Sequence, residues 1–390
     1  MNNLASQVAM HNIYCPTSEK KSPMPYVTIP LPCRGYKSVH TLNLWQRTRH
    51  HSYFDTSGNV REYVLPVCFW STDAAPSSLS AGKFMMTPNE DLVKKGVTYI
   101  GLNLSEEKYL TPYFWKYPSI YFPDPDHLLR LFLRSLKYTT RCLTLYRSKE
   151  TVITASIDHL EKLRNVTCHS GSTLKLSLQD LVLIKYHDQN TKAADKVFSE
   201  EIVVKLQENV EESQGTILYI RAVCLLMRPC RDAGLTYKEA MVSVTTGLYI
   251  FRFWKKYLEI SGFKLHSTSN ASQDPSRRGC FITQACYDCA ELLHSGLVGY
   301  LLSMYKHFPQ QVQKNRFPIR IGTSTTERII SEIQGQTIHN QHLDKQPTYA
   351  AMLHRMRGVE ENQQILDELE NIGVTERISN RRREIKKTGE

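Results

Sequence analysis

YPSIYFPDPDHLLRLFLRSLK, running from Tyr117 to Lys137, is the stretch on which the reading of this chain turns. Ile120, Tyr121 and Phe122 make a short apolar run of β-favouring residues, and Pro123 closes it one residue before Asp124. Asp124-Pro125 is in turn a strong helix start, with Asp as N-cap and Pro at the first helical position. Leu128, Leu129, Phe132 and Leu136 then recur at helical spacing. Two roles for Asp124 follow. It can simply cap the helix, or it can present a carboxylate, with His127 three residues on, at the C-terminal edge of a strand, where open α/β sheets bind their ligands.

Working outward, the segment before this stretch reads as strands. LNLW and then REYVLPVCFWSTD are apolar runs, the second ending at Asp73, and a Thr-Ser-Gly-Asn turn stands between them. AAPSSLSAGKFMMTP suggests a short helix and GVTYIGLNL another strand, and after the helix that follows Asp124 comes CLTLYR, a further strand candidate. From about residue 151 to 305 the periodicity becomes helical, in LQDLVLIKYHDQNTKAADKVFSEEIVVKL, TILYIRAVCLLMRPC and VSVTTGLYIFRFWKKYLEI. HSTSNASQDPSRRG, from His266 to Gly279, is polar and turn-rich and reads as a mobile loop. The apolar run CFITQACYDCAELLHSGLVGYLLSMYKHF is either one long helix or a pair broken near Gly296 or Gly299. The resulting organisation is an extended Pro/Ser/Lys-rich lead-in over 1–40, a first part of an α/β core over 41–150 and a helical insertion over 151–305. A final part of the core with helices follows over 306–372, and a basic tail over 373–390.

The 390 residues suffice for a sizeable core in more than one unit. Lys and Arg number 49 against 38 Asp and Glu, and the net charge of +11 favours nucleic acid or another anionic partner. Ten cysteines lie scattered without a framework of spacings, which suits reduced thiols in an intracellular protein. No apolar run reaches the roughly 18 residues of a membrane span. Cys286-x-x-Cys289, with His294 behind it, has metal-like spacing, but its apolar helical flanks favour core thiols over a zinc knuckle. The aromatic run TPYFWKYPSIYF can stack bases, although a buried sheet edge is the simpler use. RRREIKK is a solvated helix end or a nuclear-import or nucleic-acid patch.

Three carboxylates stand at places where chemistry is done: Asp73 and Asp124 at strand ends, and Glu327 early in a late helix after a Thr-Ser-Thr-Thr turn. Hard cations such as Mg²⁺ take carboxylate oxygens, and such a cluster can serve phosphoryl transfer. Each also has a structural alternative: Asp73 as a turn residue, Glu327 as first-turn support for a Ser/Thr cap.

The strand-Asp124-x-x-His127-helix unit, NTKAADKVFSEEIVVKL at 190–206 and GTSTTERIISEIQGQT at 322–337, in that order, resemble P-element-type, THAP-associated DDE/D DNA transposases. The resemblance, patchy over about 60–360, implies an RNase H-like mixed sheet interrupted by a large helical insertion. It also implies a nuclear protein that binds DNA and cleaves and joins it with Mg²⁺ or Mn²⁺. The second acid of that family matches Asp124, with His127 as its motif partner, and the last matches Glu327 with Ser331; Asp73 is placed as the first acid by position. The family's zinc-coordinating DNA-binding module is not legible here. A catalytically inactive, transposon-derived nucleic-acid-binding or scaffold protein is therefore the alternative, and a homo-oligomer is left open.

Overall fold

The computed structural model describes residues 7–13, 24–31, 69–72, 76–102, 107–114, 117–138, 141–148, 150–169, 176–181, 191–232, 234–267, 278–307 and 309–314. The chain divides into two compact units, Met1–Tyr36 with Thr323–Glu390, and Lys37–Gly322. In the first, β1 (Gln7–Ile13) and β2 (Met24–Leu31) pair antiparallel, Gln7 opposite Leu31, with a register shift at His11/Asn12. The composition of the lead-in did not suggest this ribbon. Pro25 and Pro30 are compatible with it because a strand with one open edge has ladder positions that need no N–H.

The second unit is built around two parallel strands. β3 (Phe69–Thr72) runs beside β7 (Ile120–Pro123), in a register that ends with Thr72 opposite Pro123. Trp70 Nε1 donates to Ser119 Oγ (3.3 Å), and the Thr72 and Tyr121 hydroxyls share a hydrogen bond of 2.9 Å. Ile120, Tyr121 and Phe122 are buried, as expected of a parallel strand covered on both faces. One cover is α1 (Pro76–Met86), where a side chain at Gly82 would run into the Tyr121 ring. After α2 (Glu90–Lys94), a small antiparallel sheet follows in the order β4 (Thr98–Ile100), β5 (Thr111–Phe114), β6 (Tyr117–Pro118).

From β7 the chain passes through Asp124 into α3 (Pro125–Lys137), whose buried face is Leu128, Leu129, Phe132, Leu133 and Leu136. β8 (Leu143–Arg147) and β9 (Val152–Ala155) form an antiparallel pair. The helical block thus begins at Ile157, after a strand that lies inside the segment read as helical from 151. Four residues are too few to show a period of two against the helical pattern that follows.

The block comprises α4 (Ile157–His169), α5 (Leu178–Leu181), α6 (Thr191–Val197), α7 (Glu200–Asn209), α8 (Gln214–Met227), α9 (Tyr237–Ile260), α10 (Gln284–His307) and α11 (Pro309–Lys314). A 3₁₀ turn, Arg228–Cys230, follows α8. Phe132 of α3 stacks on Phe251 of α9 at 5.2 Å and meets the edge of Tyr219 of α8 at 6.4 Å, while the Tyr219 hydroxyl donates to the Phe132 carbonyl (2.8 Å). Truncating such a fully buried aromatic to Ala costs about 3–5 kcal/mol. Trp254 of α9 donates to the Thr144 carbonyl of β8 (2.8 Å) and packs against Phe281 at 4.6 Å. The stem of the polar loop is pinned to this region by Cys142 N–H donating to the Gly279 carbonyl (2.9 Å). Residues 268–277 of the loop lie outside the described residues.

α10 is one unbroken helix. Its glycines serve close packing: a Cβ at Gly296 would lie 2.5 Å from the Tyr121 carbonyl oxygen, and one at Gly299 would overlap Thr111. The helix therefore lies directly on β7 and β5. Between α9 and α10, Arg252 makes a two-pronged ion pair with Glu291 (2.9 and 2.6 Å), and the Tyr287 hydroxyl donates to the same carboxylate (2.6 Å). For a buried pair of this kind the desolvation cost offsets much of the mutual attraction, whereas removing one partner alone is strongly destabilising. Among the described residues no helix is long and apolar enough to cross a membrane.

Candidate functional site

The site forms where β3 and β7 end. Their shared register continues one step beyond the sheet, because the Asp124 backbone N–H donates to the Thr72 carbonyl (2.8 Å). Asp124 is 1 % exposed, and its side chain accepts from the Asp126 N–H (3.1 Å), as its place at the N-cap of α3 requires. Pro125 at the first helical position and the extended Pro123 before the cap explain why the chain turns sharply here. His127 sits one turn in and is half-buried.

Thr72 immediately precedes Asp73, as Pro123 immediately precedes Asp124, and these two preceding residues are paired partners. Asp73 and Glu327 themselves lie outside the described residues. Among the described residues no group of three His, Cys, Asp or Glu side chains is gathered to hold a metal ion. The donor chemistry visible at Asp124, a carboxylate at the end of paired parallel strands, is the hard-oxygen kind that Mg²⁺ or Mn²⁺ takes.

A charged cluster not picked out in the sequence surrounds the cap. Arg231, just past the 3₁₀ turn, donates through Nη2 to Asp126 Oδ1 (2.8 Å) and through Nη1 to Asp195 Oδ1 of α6. Burial raises the Asp126 carboxyl above the usual range. The Asp124 and Asp195 charges push in the same direction, and Arg231 and Arg130 oppose them. Cys230, buried beside this cluster, has its thiol pushed up to about 12, chiefly by burial. Asp126 was visible in the sequence as the second acid of Asp-Pro-Asp-His, and Asp195 lies inside the quoted NTKAAD run. Nothing local in RPCR marks Arg231 as their partner.

The other candidate cluster has a structural explanation. Cys286 and Cys289 are fully buried on α10, and burial holds both thiols well up, Cys289 at about 12. His294 is buried and held neutral, its pKa lowered to about 3 by burial and by the nearby Arg252; its Nε2 hydrogen-bonds Thr245 Oγ1 (3.2 Å). These groups belong to the helix interface. Of the aromatic run, Tyr113, Tyr121 and Phe122 are buried in the core.

No protein-family model and no curated protein matches the chain. Among solved structures, it is similar to a Drosophila P element transposase strand transfer complex, with a TM-score of 0.54 and 11% sequence identity, over 87% of this chain and 67% of that one. At that identity the likeness is one of fold, and the chain accordingly has a transposase-like mixed α/β fold.

Proposed function

We propose that this chain is a DDE/D-type polynucleotidyl transferase on an RNase H-like core, acting on DNA, with 151–305 as its helical insertion. The observation that supports this most is the parallel pairing of β3 and β7, which end in step one residue before Asp73 and Asp124. The similarity to a structure described as a strand transfer complex agrees with it. In this reading Asp73, Asp124 and Glu327 hold Mg²⁺ or Mn²⁺, which when bound supplies Lewis-acid charge to the phosphoryl group. The protein's own contribution is positional. The α3 cap fixes one carboxylate on a rigid strand end, and His127, one turn on, shapes the entrance to it. Water, and then a DNA 3′-hydroxyl, would attack phosphorus in line, with the 3′-oxygen leaving and the attacking proton passing to solvent or a carboxylate. The net charge of +11 suits a DNA partner, and a nuclear location is part of the same proposal.

One observation favours a second reading, a DNA-binding relic without catalysis: Asp124 already has structural work as the α3 cap. The two are separated by assaying the purified chain on double-stranded DNA ends with Mg²⁺ or Mn²⁺. Metal-dependent nicking or joining that disappears in Asp124→Asn, with an unchanged melting temperature, supports the enzyme. Asn still caps a helix, so the fold should survive. DNA binding without turnover in either protein would support the relic.

A further inference from the structure

We propose that Cys142 and Cys280 form a reversible disulfide, a modification site that clasps the stem of the 266–279 loop to the start of β8. The inference is independent of the reading of Asp124. Arg141 and Gly279 are paired in parallel, and the Cys142 N–H donates to the Gly279 carbonyl (2.9 Å), so Cys142 and Cys280 are the next residues in step on neighbouring stretches of chain. Neighbouring strands lie about 4.7–4.9 Å apart, inside the window of roughly 4.4–6.8 Å between Cα atoms that a disulfide spans. Beyond the pair, the Thr144 N–H donates to the Cys280 carbonyl (3.2 Å) and keeps the two stretches together. Both sulfurs face one hydroxyl: Thr144 Oγ1 lies 3.8 Å from Cys142 Sγ and hydrogen-bonds the Cys280 thiol. The two thiols therefore stand on the same side of the pairing.

Access favours this pair. Cys142 is exposed and Cys280 half-buried, whereas Cys230, Cys286 and Cys289 are buried. Burial raises the pKa of Cys280, opposed by the Thr144 hydrogen bond; the nearby Cys142 raises it further and Arg147 lowers it. The exposed Cys142 is thus reached first, and Cys280 is the thiol that resolves. The oxidant is a low-molecular-weight disulfide of the glutathione class. Cys142 thiolate attacks one of its sulfurs, forming a mixed disulfide and expelling one thiolate, which takes up the Cys142 proton. The Cys280 sulfur then attacks Cys142 Sγ, forming the new bond and expelling the second thiolate, which takes up the Cys280 proton. Two protein thiols are oxidised, and one small disulfide is reduced to two thiols. In the reduced protein hydrogen bonds hold the stem, among them Gly279 N–H donating to Ser267 Oγ (3.1 Å). The disulfide replaces that hold by a covalent one, joining the segment after α3 to the segment that leads into α10 and constraining the unfolded chain between them.

The test treats the full chain with oxidised glutathione, blocks the remaining thiols with N-ethylmaleimide and identifies the tryptic peptides by mass spectrometry. The expected product joins the peptides Cys142–Arg147 and Gly279–Lys306, with fragmentation placing the bond at Cys280 and dithiothreitol separating the two. Its formation should raise the melting temperature by about 5–10 °C. In Cys280→Ser the reaction should stop after the first step, leaving glutathione on Cys142. In Cys142→Ser neither the linked peptide nor the rise in melting temperature should appear. An unmodified Cys142 in the parent protein, glutathione retained on it, or a bond from it to any other cysteine would each overturn the proposal. A linked product with an unchanged melting temperature would overturn the clasp. The parent measurement needs no substitution, so it decides the matter even where a variant misfolds.

Discussion

Replacing Gly296 by Ala tests whether α10 lies directly on the strand that carries Asp124. In an unobstructed helix interior the change would stabilise the protein by about 1 kcal/mol, since Ala loses less backbone entropy than Gly. Here the new Cβ would sit 2.5 Å from the Tyr121 carbonyl oxygen and 2.9 Å from the Phe122 ring, whereas ordinary contact begins at 3.4 Å. Helix and strand would have to separate by close to an ångström, and a backbone carbonyl inside a paired strand cannot rotate away as a flexible side chain could. Overpacking of this kind costs about 1–3 kcal/mol, and the unyielding carbonyl puts this case at the upper end. The clash therefore outweighs the propensity gain, for a net loss of about 1–2 kcal/mol. For a unit of this size that corresponds to a drop of roughly 2–8 °C in melting temperature, read by differential scanning calorimetry or fluorescence. An unchanged or raised melting temperature would refute the packing of α10 on β7.

Two further outcomes are expected from the helix interface. The native state keeps His294 neutral down to about pH 3, whereas an unfolded His protonates near its ordinary value of 6.5. Between those values the unfolded chain binds more protons than the native one. Stability should therefore fall as pH falls from 6.5 towards 3, by up to about 1.4 kcal/mol per pH unit, and His294→Gln should flatten that slope in urea titrations. Arg252→Met should cost about 3–5 kcal/mol by leaving Glu291 charged and buried, and Arg252→Met/Glu291→Leu should regain most of it; equal losses in single and double variants would contradict the pairing.

What the sequence made legible was local chemistry. Asp124-Pro125 announced a capped helix because the cap needs a short acceptor side chain and the first helical position tolerates a missing N–H, and α3 starts there. The apolar runs before Asp73 and Asp124 indicated strands, and their described ends, Phe69–Thr72 and Ile120–Pro123, are strands paired in parallel. The possible break of the last long helix at Gly296 or Gly299 did not materialise, because a glycine placed for close approach looks the same in sequence as one placed for a bend. β9 was hidden by its brevity beside a helical pattern. Arg231 could not be found from sequence, since its partners lie in α3 and α6, far away along the chain, and only folding brings the three charges together. Asp73 and Glu327 were read as companions of Asp124, and that part of the site is carried by the proposal.

The proposal that Asp73, Asp124 and Glu327 share one cation site can be checked by loading the chain with Fe²⁺ in place of Mg²⁺ and letting ascorbate and peroxide cut the backbone near the metal. The account predicts cuts clustered near residues 73, 124 and 327 together, suppressed by excess Mg²⁺ and abolished by Asp124→Asn. Cuts confined to other segments, or a pattern indifferent to Asp124→Asn, would contradict it.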